Sequence, residues 1–200
     1  MITKEEIIRM VTSPIRTKED IEKMKSYFLS KERYRDYAMF VMGINTALRI
    51  SDLLELKWED IYDTQKRAYK NHVEIYEQKT NKRTVIALNS SCISATKLLK
   101  KHQPFKNTDE YIFCRSKDHY DHISRNRAYH IIKDAAIANH IEGNISCHSL
   151  RKTFGYHAWK MGTPSALIMS IYNHSSIEIT KRYLSISQDD KDAVFQSMNL

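Results

Sequence analysis

Two arginines, two histidines and a tyrosine, Arg49, His148, Arg151, His174 and Tyr183, are the side chains of this sequence best suited to chemistry. Together they fit one task, attack on a phosphodiester by a tyrosine hydroxyl without a metal. A guanidinium is a planar fork that matches phosphate oxygens. An imidazole can trade protons near neutral pH. A tyrosine hydroxyl can become a covalent nucleophile. A phenol ionises near pH 10, so forming phenolate at pH 7 costs about 4 kcal/mol, which nearby cations would offset.

The local sequence places each group. Arg49 lies in a connection between two apolar helices, and Asp52, three residues on, can reach back to orient it. The plainer alternative there is a surface ion pair of little worth. His148 and Arg151 share one helix face, near an N-terminus that favours anions. Tyr183 follows His174 by nine residues and is flanked by Lys181 and Arg182. A tyrosine taken alone is more often a core residue.

The supporting elements read as mostly helical. Only four glycines and three prolines occur, too few for a turn-rich all-β fold. Thr17 caps a first helix to about Ser30, and a second runs from about Glu32 to Thr46. Ser51 is placed to cap a short third helix. The period then switches to two: 72–77 and 84–88 form a β-hairpin whose tip, Lys79 to Arg83, is basic. Ser90 or Ser91 caps the next helix, 111–113 forms a third short strand, and helices follow over 124–140, 147–161, 165–171, 176–183 and 189–199.

The chain has 200 residues and a net charge of +8, enough for one domain with a real core and a basic balance that favours a polyanionic partner. An unspecific solubility charge is the alternative. No run of about 18 apolar residues spans a membrane, and the N-terminus lacks a secretory h-region. Three widely spaced cysteines fit reduced thiols in the cytoplasm. His119-x-x-His122 sits in a polar loop and is read as no metal site. Basic residues Lys82 and Arg83 on the hairpin, Arg125 and Arg127, Lys152, and Lys181 and Arg182 are expected to touch backbone phosphates.

Four stretches carry a resemblance when taken in order: TALRISDLLEL, QKTNKRTVIAL, CHSLRKTFGYHA and NHSSIEITKRYL. They resemble the tyrosine recombinase (phage integrase) family. The resemblance implies an α+β fold, mostly α: a helical integrase-type catalytic domain with a small antiparallel sheet. It puts Arg49, Lys79, His148, Arg151 and His174 on catalytic positions, Tyr183 on the nucleophile and Asp52 on a supporting acidic position. One departure is visible, Asn173 where the family usually has glycine, and asparagine tolerates left-handed backbone.

The expected organisation is an N-terminal extension or linker over 1–16, a catalytic domain over 17–187 and a tail over 188–200. Val194, Phe195 and Met198 give that tail an apolar side to bury, either on its own core or on a neighbouring protomer. Family members usually carry a separate helical DNA-binding domain ahead of the catalytic one. The resemblance therefore implies a minimal recombinase, as the fimbrial-switch invertases are, or a catalytic domain cut from a longer chain. It further implies a site-specific recombinase or integrase acting through a 3′-phosphotyrosyl intermediate, with no cofactor. The partner is double-stranded DNA, and the protein is a monomer when free and a tetramer in a DNA synapse, aided by accessory DNA-bending proteins. Its expected location is cytoplasmic, at the nucleoid. The rivals are a type IB topoisomerase-like enzyme and a catalytically silent DNA-binding regulator of the same fold.

Overall fold

The computed structural model describes residues 11–115, 118–186 and 188–198. Helix α1 (Lys18–Ser30) starts where Thr17 Oγ1 accepts the Asp20 N–H at 3.0 Å, and it buries Met24 and Phe28. Helix α2 (Tyr34–Thr46) starts two residues later than the sequence suggested, because Glu32 is left-handed (φ 52) and separates the helices. The α2 run from Ala38 to Gly43 is buried throughout. This helix is the central post, packed against α1 and against two later helices, α5 (Ser90–His102) and α7 (Cys147–Lys160).

α2 ends on Ala47 in the left-handed conformation (φ 57), which turns the chain into α3 (Ile50–Leu54). Arg49, in extended backbone, caps α3, so the expected cap Ser51 lies inside the helix. The reversal at Ala47 sets that start two residues early and leaves the Arg49 side chain at the junction. α4 (Trp58–Ile61) follows, then a short ribbon of β1 (Tyr62–Asp63) and β2 (Ala68–Tyr69). Two-residue strands show no readable alternation, so the sequence offered no signal for them.

β3 (His72–Tyr76) pairs antiparallel with β4 (Arg83–Ala87), in register from His72 opposite Ala87 to Tyr76 opposite Arg83. This is the expected hairpin. Asn89, not Ser90 or Ser91, caps α5, its Oδ1 accepting the Cys92 N–H at 3.0 Å. The expected strand at 111–113 is reduced to single bridges, Lys57 to Tyr111 and Cys114 to His122. There the chain pairs with the α3–α4 turn instead, Ile112 N donating to Leu56 O at 2.9 Å.

α6 (Arg125–Ala138) is capped by Ser124, and α7 by a Ser146–Ser149 capping box. α8 (Ser165–Ile171), α9 (Ile177–Leu184) and α10 (Gln188–Ser197) complete the fold. Among the described residues no helix is long and apolar enough to cross a membrane.

Two apolar clusters form among the described residues. The larger spans α1 to α6 and includes Leu150 of α7. The smaller gathers Ala47, Ile168, Tyr172 and Leu184, with Phe154, Trp159 and Tyr183 packed on it. Gly155 lets α7 approach this second cluster. A Cβ there would lie 2.2 Å from the Tyr172 hydroxyl, which donates to Arg151 O at 2.6 Å.

Asp190 attaches the tail to the body of the fold. Asp190 is buried, 3.2 Å from Arg16 Nη1 and 2.8 Å from Lys160 Nζ, and accepts from the Tyr156 hydroxyl at 3.4 Å. Beyond it Val194, Phe195 and Met198 are exposed and do not pack on the chain's own core.

Candidate active site and nucleic-acid interface

A cleft of about 640 Å³ opens where the α2–α3 turn, the β3–β4 tip, α6 and the start of α7 converge, and Arg49, Lys79, Arg125, His148 and Arg151 line it. Tyr183 adjoins this lining through His148, and His174 adjoins Tyr183. The Tyr183 ring lies 4.9 Å from the His148 ring and 4.5 Å from the His174 ring, centre to centre. Tyr172 backs all of this, 5.4 Å from Tyr183. The six residues expected to act together thus come from five separate elements into one place.

Each is held differently. Arg151 is buried, its Nη1 donating to Ala47 O and its Nη2 to Tyr172 O at 2.7 Å. Its guanidinium lies over the Tyr172 ring, 4.5 Å from the centroid. Its Nε is buried and has no partner among the described residues. Arg151 therefore ties the turn before Arg49 to the turn before His174. His174 Nδ1 is 3.1 Å from the buried Thr180 hydroxyl on α9, which fixes the imidazole to the helix carrying Tyr183.

Arg49 does not use Asp52. Its Nη1 donates to Glu77 Oε2 at 2.6 Å instead. Asp52 supports the hairpin, its Oδ1 accepting the Gln78 N–H at 3.0 Å, next to the exposed Lys79. The i,i+3 spacing permits the Asp52–Arg49 contact, but Asp52 points inward (4% exposed) whereas Arg49 caps the helix in extended backbone. Glu77 was missed in the sequence, although a signal was present. Val73 and Ile75 set the inward register of β3, and Glu77 is the next residue on that register.

Among the basic residues, Arg125 lines the cleft, and Arg127, Lys82 and Lys181 are exposed. Arg83 is exposed and turned across the hairpin to Glu74, with Nη2 to Oε2 at 2.6 Å. Lys152 corrects an expectation. It is buried, its Nζ donating to Thr12 O at 2.6 Å and lying 3.5 Å from Ser185 Oγ. Its stem runs into the fold because α7 is enclosed over 149–153, so it anchors the N-terminal segment and is not an exposed surface cation. The Arg182 side chain and residues 1–10 of the N-terminal extension lie outside the described part. His119 and His122, the two histidines of the polar loop, face carboxylates, Glu110 at 2.6 Å and Glu55 at 3.3 Å.

Electrostatics alters the reading of the histidines. Crowding by protein, then the positive charges of Lys152, Arg151, Arg49 and Lys79, hold His148 down to about 4, though one side of its ring stays open to the cleft. Burial, then Arg151 and Arg49, hold His174 down to about 4 against the opposing pull of Glu77. Both are neutral at pH 7 in the unliganded protein. Burial works against the Glu77 carboxylate, but hydrogen bonds from Thr80, Asn173 and Arg49 more than offset it and place its pKa below the usual range. Burial pushes Asp52 up, only partly opposed by the Gln78 N–H and Arg49.

The depressed histidines have a measurable consequence. A histidine titrating at about 4 when folded, and near 6.5 when unfolded, binds fewer protons in the folded state between those values. Its contribution to stability is complete above pH 6.5 and lost as the pH falls toward 4. After allowance for partial exposure this amounts to roughly 1 kcal/mol per histidine. Tm should fall by about 2–4 °C per kcal/mol between pH 6.5 and 4.5. A His148→Gln/His174→Gln double variant should show a visibly flatter slope by calorimetry. Parallel slopes in the two proteins would refute the shifts.

A mostly helical domain with a two-stranded hairpin, holding two arginines, a hairpin lysine and a tyrosine between two histidines, defines a class. The chain belongs to the phage integrase family, the tyrosine recombinases, whose profile matches residues 15–189. It is 38% identical over 190 residues to the probable integrase/recombinase YoeC of Bacillus subtilis (strain 168), covering 93% of this chain and 96% of that protein. It is 28% identical over 152 residues to the type 1 fimbriae regulatory protein FimE of Escherichia coli (strain K12), covering 74% of this chain and 73% of that one. Among solved structures, XerA recombinase superposes with a TM-score of 0.76 at 18% identity over 96% of this chain. The XerH site-specific recombinase in its post-cleavage complex with difH gives 0.72 at 18% identity over 94%. The chain spans 66% of the XerA chain and 54% of the XerH chain.

Proposed function

We propose that this protein is a site-specific DNA recombinase that cleaves and rejoins strands through a 3′-phosphotyrosyl intermediate on Tyr183. The observation that carries the reading is the placement of the Tyr183 ring against both His148 and His174, with His148 lining a cleft shared with Arg49, Lys79 and Arg151. The relatives point the same way. The solved XerH complex holds its difH substrate after cleavage, and a lambda integrase dimer is bound to a core site.

In the proposed reaction Arg49 and Arg151 hold the non-bridging oxygens of the scissile phosphate as charge builds on them. Tyr183 Oη attacks the phosphorus in line and its proton passes to neutral His148. The P–O5′ bond breaks, and Lys79 at the hairpin tip protonates the leaving 5′-oxygen. His174 donates to a phosphate oxygen. The bound phosphate's negative charge raises both histidines from the low values of the free protein, which makes His148 a better base once DNA is in place. A 5′-hydroxyl from the partner strand then attacks the phosphotyrosine and regenerates Tyr183. The phosphotyrosyl bond conserves the energy of the broken phosphodiester, so rejoining consumes no ATP. The charge that a metal would supply comes from the two arginines and the lysine.

Arg125, Arg127, Lys82 and Lys181 are exposed cations suited to flanking phosphates, which makes binding salt-dependent. The exposed Val194 and Phe195 of α10, with Met198 just after it, support a tail that docks on a neighbouring protomer in a tetrameric synapse, with accessory DNA-bending proteins. The reading is tested by covalent capture. Nicked duplexes tiled across the DNA flanking the coding sequence should trap the wild-type protein on a 3′ end. No adduct on any duplex would overturn it. Supercoil relaxation without recombinant product would instead indicate topoisomerase-like chemistry, and sequence-specific binding without cleavage would indicate a silent regulator.

A further inference from the structure

The inward face of β3 ends in a charge inside a site built to hold phosphate. The Glu77 side chain is 1% exposed, and three segments of the chain meet on it. Oε2 accepts from Arg49 Nη1 at 2.6 Å and from Thr80 Oγ1 at 2.7 Å. Oε1 accepts from Asn173 Nδ2 at 3.0 Å. The same Asn173 amide donates to Thr84 Oγ1 on β4 at 3.1 Å. The Glu77 backbone also closes the turn, accepting the Asn81 N–H at 2.7 Å.

A buried carboxylate is tolerated when it is paired and hydrogen-bonded, and both Glu77 oxygens accept hydrogen bonds, one of them from a guanidinium. A negative group also opposes a phosphate bound nearby, so binding strength alone does not explain it. Geometry does. Its three side-chain donors are Arg49 itself, the residue after Lys79 and the residue before His174. Among the described residues the Arg49 guanidinium makes no other hydrogen bond, so its remaining donors stay available to a ligand.

We propose that Glu77 is a positioning residue that, through Arg49, Thr80 and Asn173, locks the phosphate-binding arginine, the hairpin lysine and the His174 segment into the mutual placement cleavage requires. The inference rests on the recombinase reading above. It also assigns a purpose to the asparagine that replaces the family's usual glycine. Asn173 keeps the left-handed backbone (φ 52) that a glycine would adopt and adds a side-chain tether to both Glu77 and Thr84.

Asn173→Gly is the clean test, because glycine accepts that backbone without strain and only the tether is lost. Glu77→Gln is its companion, keeping shape while removing the charge. The probe is a nicked duplex on which the wild type forms its adduct, so a wild type that forms none refutes the recombinase reading and not this one. At saturating DNA, the single-turnover rate of adduct formation should fall about 10- to 100-fold in both variants, the scale of a misplacement of about 1 Å. The dissociation constant should stay within about threefold, and in Glu77→Gln it should if anything tighten as a negative charge is removed. Rates within threefold of wild type overturn the proposal, as does a loss that raising the DNA concentration restores. If Glu77→Gln does not fold, Asn173→Gly decides alone.

Discussion

Tyr183→Phe is expected to fold, to bind DNA as the wild type does and to form no covalent adduct. The substitution removes one oxygen and keeps the ring, which packs edge-on against His148, tilted against His174 and over the Tyr172 cluster. Those contacts do not depend on the hydroxyl, so the change in stability should stay below about 1 kcal/mol. The chemistry has no substitute nucleophile. Loss of the attacking group in a covalent mechanism typically costs on the order of 10⁶ in rate, so adducts should fall below detection. The assay labels the 5′ end of the cleaved strand and looks for a protease-sensitive slow band on a denaturing gel. A nick just downstream of the scissile phosphate lets the short fragment diffuse away, which traps the intermediate. Adduct formed by Tyr183→Phe would remove Tyr183 from its role, and parallel loss of DNA binding would mean that the ring is needed for more than chemistry.

The second large effect concerns Arg151, which has two jobs at once. Its Nη1 and Nη2 satisfy Ala47 O and Tyr172 O, and its guanidinium stacks on Tyr172. Arg151→Ala would leave two buried carbonyls without donors, each costing about 1–3 kcal/mol, besides the lost stacking. A total near 3–5 kcal/mol lowers Tm by roughly 10 °C or more in a chain of this size. The same change removes a cation from the phosphate cradle, where one preorganised donor is worth about 10²–10³ in rate. Arg151→Lys should recover little, because one ammonium cannot span carbonyls on two different turns. Melting followed by circular dichroism separates the two jobs when the adduct rate is taken well below Tm. An Arg151→Ala protein that melts within about 2 °C of wild type would show that Arg151 serves the ligand alone.

Much of the architecture was legible in local chemistry. Thr17, Ser124 and Ser176 are capping residues whose side chains accept the N–H three residues on, and each opens the expected helix. The alternation over 72–77 became β3, with its partner in the expected hairpin. Where the sequence misled, a longer-range contact had outweighed a local preference. Asp52 has the spacing to pair with Arg49, yet the Gln78 N–H, 26 residues on, takes its oxygen. Lys152 reads as a surface cation beside Arg151, yet the N-terminal segment, 140 residues earlier in sequence, folds over it. The short strand expected at 111–113 gave way to a turn that pairs with Leu56.

The sequence by itself determined which groups this protein has for phosphate chemistry, their order along the chain and the helix or strand each one rides on. Those depend on residue type and on periods of two to four residues, which are written locally. Only the tertiary structure decided that Glu77 takes Arg49, that Arg151 anchors two turns and that both histidines sit near pH 4. Burial and charge are sums over neighbours brought from distant parts of the chain. No short stretch of sequence contains them until folding has put those neighbours in place.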